Sequence, residues 1–160
     1  MSRYAEYTAV PVARSKAEIE TILTRYGADS FASGWDQDRA IIQFKAKDRI
    51  IRFELPLPAQ DDKRFLRDGR GSMRTPDQRF VAWEQACRQR WRCLALAVKA
   101  KLEAVESGIT TFEDEFLAHI VLPGGKTLGA WAKPQVAHAY AHNRLPPMLP
   151  GATAEGELVR

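Results

Sequence analysis

The sequence predicts an α+β fold: an antiparallel three- to four-stranded sheet in the order β-α-β-β-β, with a long basic helix and C-terminal helices. Three observations predict it. Between residues 39 and 55 apolar and polar residues alternate, the period of a half-buried strand. Between residues 75 and 108 apolar residues recur every three or four positions, the period of a helix. A length of 160 residues with 45% hydrophobic content suffices for one domain with its own core. That domain is expected over residues 1–145, with a loose C-terminal tail over 146–160 that is rich in proline and glycine.

Thr8 to Val12 is read as a short strand, and Pro11 marks it as an edge strand or a strand start, because proline donates nothing to a ladder. Ser15-Lys16-Ala17-Glu18 has the form of a capping box, followed by Ile19, Ile22, Leu23 and Tyr26 at helical spacing and by Gly27 as the stop. Three strands follow: Ser30 to Trp35, Arg39 to Ala46 and Arg49 to Leu55, turning at Asp36-Gln37-Asp38 and Lys47-Asp48. Ile42, Phe44 and Ala46 share one face, as do Ile51, Phe53 and Leu55, which makes an antiparallel meander with one face solvated. Pro56 and Pro58 end it. Residues 59–74 form a mobile basic connector whose only anchors are Phe65, Leu66 and Met73.

Thr75-Pro76-Asp77-Gln78 opens the longest helix, with threonine as cap, proline at the first helical position and Gln78 closing a capping box. Phe80, Ala86/Cys87, Trp91, Leu94, Val98, Leu102 and Val105 keep the helical period until Gly108. Such a helix runs about 46 Å at about 1.5 Å per residue, longer than a compact domain of this size, so part of it is expected to pack on another subunit or to break. Thr110-Thr111 caps a shorter helix through Phe112, Phe116 and Leu117; Ile120-Val121-Leu122 is extended; Pro123-Gly124-Gly125-Lys126 turns. Thr127 caps a last helix bearing Leu128, Trp131, Val136 and Tyr140, kinked or restarted at Pro134.

The net charge of +4 is unevenly spread. Lys63 to Lys101 holds eleven basic and three acidic residues, a balance of +8, which leaves −4 for the remainder. Asymmetry of this kind speaks to partners and not to fold. On the helix, Arg88, Arg92 and Lys99 fall on one flank, Arg90 and Lys101 nearer another, with Trp83 and Trp91 among them. Lys63, Arg64, Arg67, Arg70 and Arg74 lie in the connector. Cations on a rigid scaffold meet phosphates, and aromatic rings stack on unpaired bases. The competing readings are a solvated helix face with the tryptophans in the core, and an acidic protein partner.

Other chemistries fare less well. No apolar run reaches the roughly 20 residues that cross a bilayer, and residues 1–6 lack the apolar segment of a signal peptide, so a cytoplasmic protein without membrane partners is expected. Cys87 and Cys93 point about 120° apart on a helix and suit neither a local disulfide nor one metal. His138 and His142 have the i, i+4 spacing of a metal pair, with His119, Glu113 or Glu115 as conceivable third ligands, against a plain surface reading; no metal or cofactor is assigned. Glu113-Asp114-Glu115 is explained by the helix dipole, and a two-metal nuclease would need Glu54, Asp36 or Asp38 beside it. Gly124-Gly125-Lys126-Thr127 lacks the first glycine of a phosphate loop at the required spacing. Neither a Gly-x-Ser-x-Gly elbow nor a dinucleotide fingerprint occurs.

The passages Ile50–Pro58, Trp83–Arg92 and Lys99–Gly108 resemble small proteins of phages and prophages, a resemblance over nearly the whole chain that implies context and no site. The order strand, helix, three-stranded meander and long basic helix resembles the core of phage single-strand annealing proteins; that likeness implies binding of single-stranded DNA in replication or recombination. The resulting expectation is a non-enzymatic nucleic-acid-binding protein, with DNA as partner. Arg88, Arg92 and Lys99 would meet phosphates, helped by Lys63, Arg64, Arg67, Arg70 and Arg74. The long helix could mediate a homo-oligomer. The alternative is a protein-interaction module, an inhibitor or adaptor of host machinery, that sets its basic face on an acidic protein.

Overall fold

In the computed structural model, residues 5, 7–36 and 38–144 are described. The first element is a helix, α1 (Val12–Arg25). The strand expected at Thr8–Val12 is absent: residues 8–11 are irregular, and Pro11 is the helix N-cap with φ −60° and ψ 151°. Proline suits that boundary because its fixed φ is compatible with entry and its missing N–H costs nothing there. The helix therefore begins a turn before the expected capping box. Ser15 is already inside it, its amide donating to the Pro11 carbonyl at 3.1 Å and its side chain fully buried.

The sheet has three strands, β1 (Ser30–Trp35), β2 (Arg39–Ala46) and β3 (Arg49–Pro56), in the order β1-β2-β3 and antiparallel throughout. Lys47 and Asp48 both adopt positive φ, 49° and 59°, as a two-residue turn between right-twisted strands demands. In register, Phe44 faces Ile51, Ile42 faces Phe53 and Ala40 faces Leu55. That face is the core: Ala40, Ile42, Phe44, Ala46, Ile51 and Phe53 are buried, as the alternation predicted. Ile19 and Leu23 of α1 close over it. Along the outer edge of β3 the extended piece pairs only briefly, through an Ile51–Ile120 bridge and the Val121 amide donating to Ile50.

The long helix, α2 (Pro76–Glu106), runs 31 residues without a break. Its capping box forms as read: the Thr75 side chain accepts from the Gln78 amide, and the Gln78 side chain accepts from the Thr75 amide. Trp91, Leu94, Ala95, Val98 and Leu102 are its core contribution. No residue of α2 before Cys87 is buried, so residues 76–86 overhang the sheet. The overhang meets other parts of its own chain: the Trp83 indole donates to the Pro58 carbonyl at 2.8 Å, just before the connector, and the Gln85 side-chain amide donates to the Thr8 carbonyl at 2.9 Å.

After α2 come α3 (Phe112–Phe116), a 3₁₀ turn at Leu117–His119, and α4 (Leu128–His142). Phe116 is the hub of the core's far end: fully buried, edge-on to Phe44 (5.9 Å) and Phe53 (6.2 Å), and tilted against Phe112 (4.8 Å). α4 is capped by Thr127 as expected, continues through Pro134 and buries none of its residues. Its close approach is at Gly129, where a Cβ would come within 2.8 Å of the Ala118 carbonyl oxygen. The expected loose tail lies outside the described residues. Among the described residues no helix is long and apolar enough to cross a membrane.

Candidate nucleic-acid interface

The connector is braced by its own polar groups. A 3₁₀ turn at Lys63–Phe65 is pinned by the buried Phe65 ring, and Arg67 forms an isolated backbone bridge with Met73. Asp68 accepts from the amides of Arg70 and Ser72, both at 2.9 Å, which fixes the tip. Arg67 donates to the Gly71 carbonyl and Arg74 to the Arg67 carbonyl, each at 2.7 Å. These bonds are to neutral oxygens, so both guanidinium groups keep their charge and spare donors. Lys63 and Arg70 are exposed, and neither makes an ion pair among the described residues. Arg64 differs: Asp62 lies 3.2 Å away and offsets its charge.

On α2 the basic residues separate. Arg88 is half-buried, donating twice to Gln85 Oε1 with Glu84 at 3.9 Å. Arg92 forms an ion pair and hydrogen bond with Glu18 of α1, both side chains mostly covered. Lys99 is exposed and unpaired among the described residues, but eleven residues from Arg88 put it about 16 Å farther along the axis. The flank expected to carry Arg88, Arg92 and Lys99 to phosphates is thus the flank against which α1 packs, and Arg92 is engaged in that packing. Lys101, on the other flank, pairs with Glu115 at 2.8 Å. With Cys87, Trp91, Leu94 and Val98 inward, the strip of α2 opposite the core is neutral: Ala82, Gln89, Cys93, Leu96 and Ala100. Arg90 is exposed on the flank of Lys101, so the cations of α2 are divided between two flanks and not gathered on one face.

Connector and helix meet in a depression of about 580 Å³ lined by Asp68, Arg74, Asp77, Gln78, Val81, Ala82, Gln85 and Arg88. It brings a connector arginine and a helix arginine to one concave surface. Its two carboxylates keep their charge as well, Asp68 accepting from neutral amides at the loop tip and Asp77 lying in the first helical turn, so the two arginines of the hollow are balanced there and the connector's surplus charge lies on Lys63, Arg67 and Arg70. Arg88 also lines a second hollow of about 300 Å³ with Ala9, Pro11, Val12, Trp83, Glu84 and Cys87. A third, about 270 Å³, shares Val12, Trp83 and Cys87 with the second and adds Lys16, Trp35, Asp36, Leu57 and Trp91. The three hollows follow one another beside the N-terminal half of α2.

The third hollow contains a residue that the charge pattern did not signal. Trp91 is its buried floor, as expected of a core tryptophan, with the Lys16 ammonium 4.7 Å above the ring centre. Trp35 stands at its mouth, 77% exposed. Its register partner is Ala40, just as Phe31 and Ser33 oppose Phe44 and Ile42, so Trp35 points to the core side of the sheet and yet is not covered. The alternation in Ser30–Trp35 could have flagged it.

The remaining candidates are accounted for locally. Burial, with Glu84's charge, pushes the Cys87 thiol up, away from reactivity. His119 stacks on Phe53 at 3.9 Å, and burial holds its pKa below the usual histidine value, reinforced by the Lys101 charge. His138 and His142 stack on each other at 4.1 Å, and no group of three metal-ligating side chains gathers among the described residues. The Thr111 hydroxyl caps α3 through the Asp114 amide, and Glu115 is bound to Lys101. Gly124 and Gly125 take φ of 97° and 85° in a plain turn tied to the sheet by Arg52. No protein-family model, curated protein or solved structure matches the chain.

Proposed function

We propose that the chain is a non-enzymatic nucleic-acid-binding protein that takes single-stranded DNA through phosphate contacts, in the phage replication or recombination setting that its resemblances imply, although the element order shared with annealing proteins lacks its first strand here. The observation that carries this reading is the braced connector. Lys63, Arg67, Arg70 and Arg74 keep their charges on a loop fixed by its own hydrogen bonds, and Arg74 shares a concave surface with Arg88, whose charge Glu84 partly offsets. Ordering the loop in advance lowers the entropic cost of binding, and cations with spare donors release counterions when they meet phosphates. Arg64 contributes less because of Asp62, and Lys99 could touch only a strand that continues along α2. Arg92 drops out of the phosphate-binding set.

The test is fluorescence anisotropy with labelled single-stranded and duplex oligonucleotides at about 50 and about 200 mM salt. Binding that is present at the lower concentration and falls steeply at the higher is expected. Absence of binding to both forms at low salt overturns the reading.

A further inference from the structure

We propose that the tryptophan-lined hollow takes one unpaired nucleobase, stacked on Trp35, which makes the interface selective for single strands over duplex. This rests on the nucleic-acid reading above and adds the part of the ligand that phosphate contacts do not read. Trp35 is the reason to look here: a tryptophan on the core side of a strand is ordinarily covered, and this one is 77% exposed over an open hollow. At about 270 Å³ the space lies just below the range of drug-sized pockets, so it suits a single flat ring system.

Its walls are Trp83, Trp91, Leu57, Val12 and Cys87, surfaces that favour an aromatic face over a polar chain. The Lys16 ammonium occupies the position over Trp91 and Asp36 lines the same hollow, so the two charges balance and the hollow suits a flat neutral ring, with the phosphates left to the cations outside it. The neighbouring hollow leads by shared residues toward Arg88, and from there toward the connector cations, a path along which a backbone could run. A duplex keeps its bases stacked inside and cannot offer one to Trp35 without the free-energy cost of unpairing.

Trp35→Ala is a mild change because the side chain is exposed, and Trp35→Phe keeps a stacking face. Affinity is measured for the same labelled sequence as single strand and as duplex. The expected result is a roughly 10- to 100-fold loss for the single strand in Trp35→Ala, the worth of one stacked base, with duplex affinity unchanged and most single-strand affinity kept by Trp35→Phe. An unchanged single-strand affinity, or an equal loss for both forms, overturns the base pocket while leaving the phosphate interface in place. If the unmodified protein binds neither form at low salt, both proposals fall.

Discussion

Removing Lys63 and Arg70 together tests the phosphate interface with the least structural side effect, because both side chains are exposed and neither braces the loop. Four connector cations keep their charge: Lys63, Arg67, Arg70 and Arg74. If each meets one phosphate, the logarithm of the single-strand affinity falls with the logarithm of salt at a slope of about −2.8, from about −0.7 per contact. The Lys63→Ala/Arg70→Ala variant should halve this to about −1.4. Between about 50 and about 200 mM salt, the unmodified protein then loses about 50-fold in affinity and the variant about 7-fold. Anisotropy titrations at four or five salt concentrations give both slopes. Arg92→Met is the control: its guanidinium is engaged by Glu18, so its slope should match that of the unmodified protein. The reasoning is refuted if the double variant keeps the full slope, or if Arg92→Met lowers it as much.

Three further outcomes are expected. Arg92→Met and Glu18→Gln should each destabilise the fold by roughly 1–2 kcal/mol in urea unfolding, less than a fully buried pair because both side chains retain some exposure, and the double variant should lose less than the sum; strict additivity would remove the clamp between α1 and α2. Phe116→Ala should cost about 3–5 kcal/mol, since it empties the junction of three aromatic rings, and a loss below about 1 kcal/mol in the same assay would contradict that packing. His119 has a folded pKa below its unfolded value, so the unfolded chain holds the proton more tightly; its contribution is whole above about 6.5 and declines as pH falls through that value. Urea midpoints at pH 7.5 and 5 should therefore differ more for the unmodified protein than for His119→Gln.

Much of the fold is legible because its elements obey local rules that tertiary contacts reinforce. The Ile42/Phe44/Ala46 and Ile51/Phe53 alternation gives register and face, and Thr75-Pro76-Asp77-Gln78 gives the start of α2. The failure at the N-terminus has a physical cause. Ser15 and Glu18 have capping-box spacing, but Pro11 is itself a tolerated N-cap, and a start there puts Ser15 inside the helix, where it is buried, and leaves Glu18 to reach Arg92. Burial outweighs a local cap. The length of α2 is legible too, but not the contacts that its first turns make within the chain, with the carbonyls of Pro58 and Thr8.

The candidate site is legible only as a charge balance, and that balance mixes three uses that composition cannot separate. Arg92 and Lys101 fasten helices to one another through Glu18 and Glu115, acids that lie outside the basic stretch and so escape the count. Arg67 and Arg74 brace the loop while keeping their charge, and Lys63, Arg70 and Lys99 stand free among the described residues. An ion pair is nearly silent toward a polyanion, since its counter-charge is already supplied, whereas an arginine bound to a carbonyl still needs one. The partner of each cation, and not the number of cations, therefore decides where an interface can form: it moves the expected surface from the middle of α2 to the connector and the first turns of the helix, next to the uncovered Trp35.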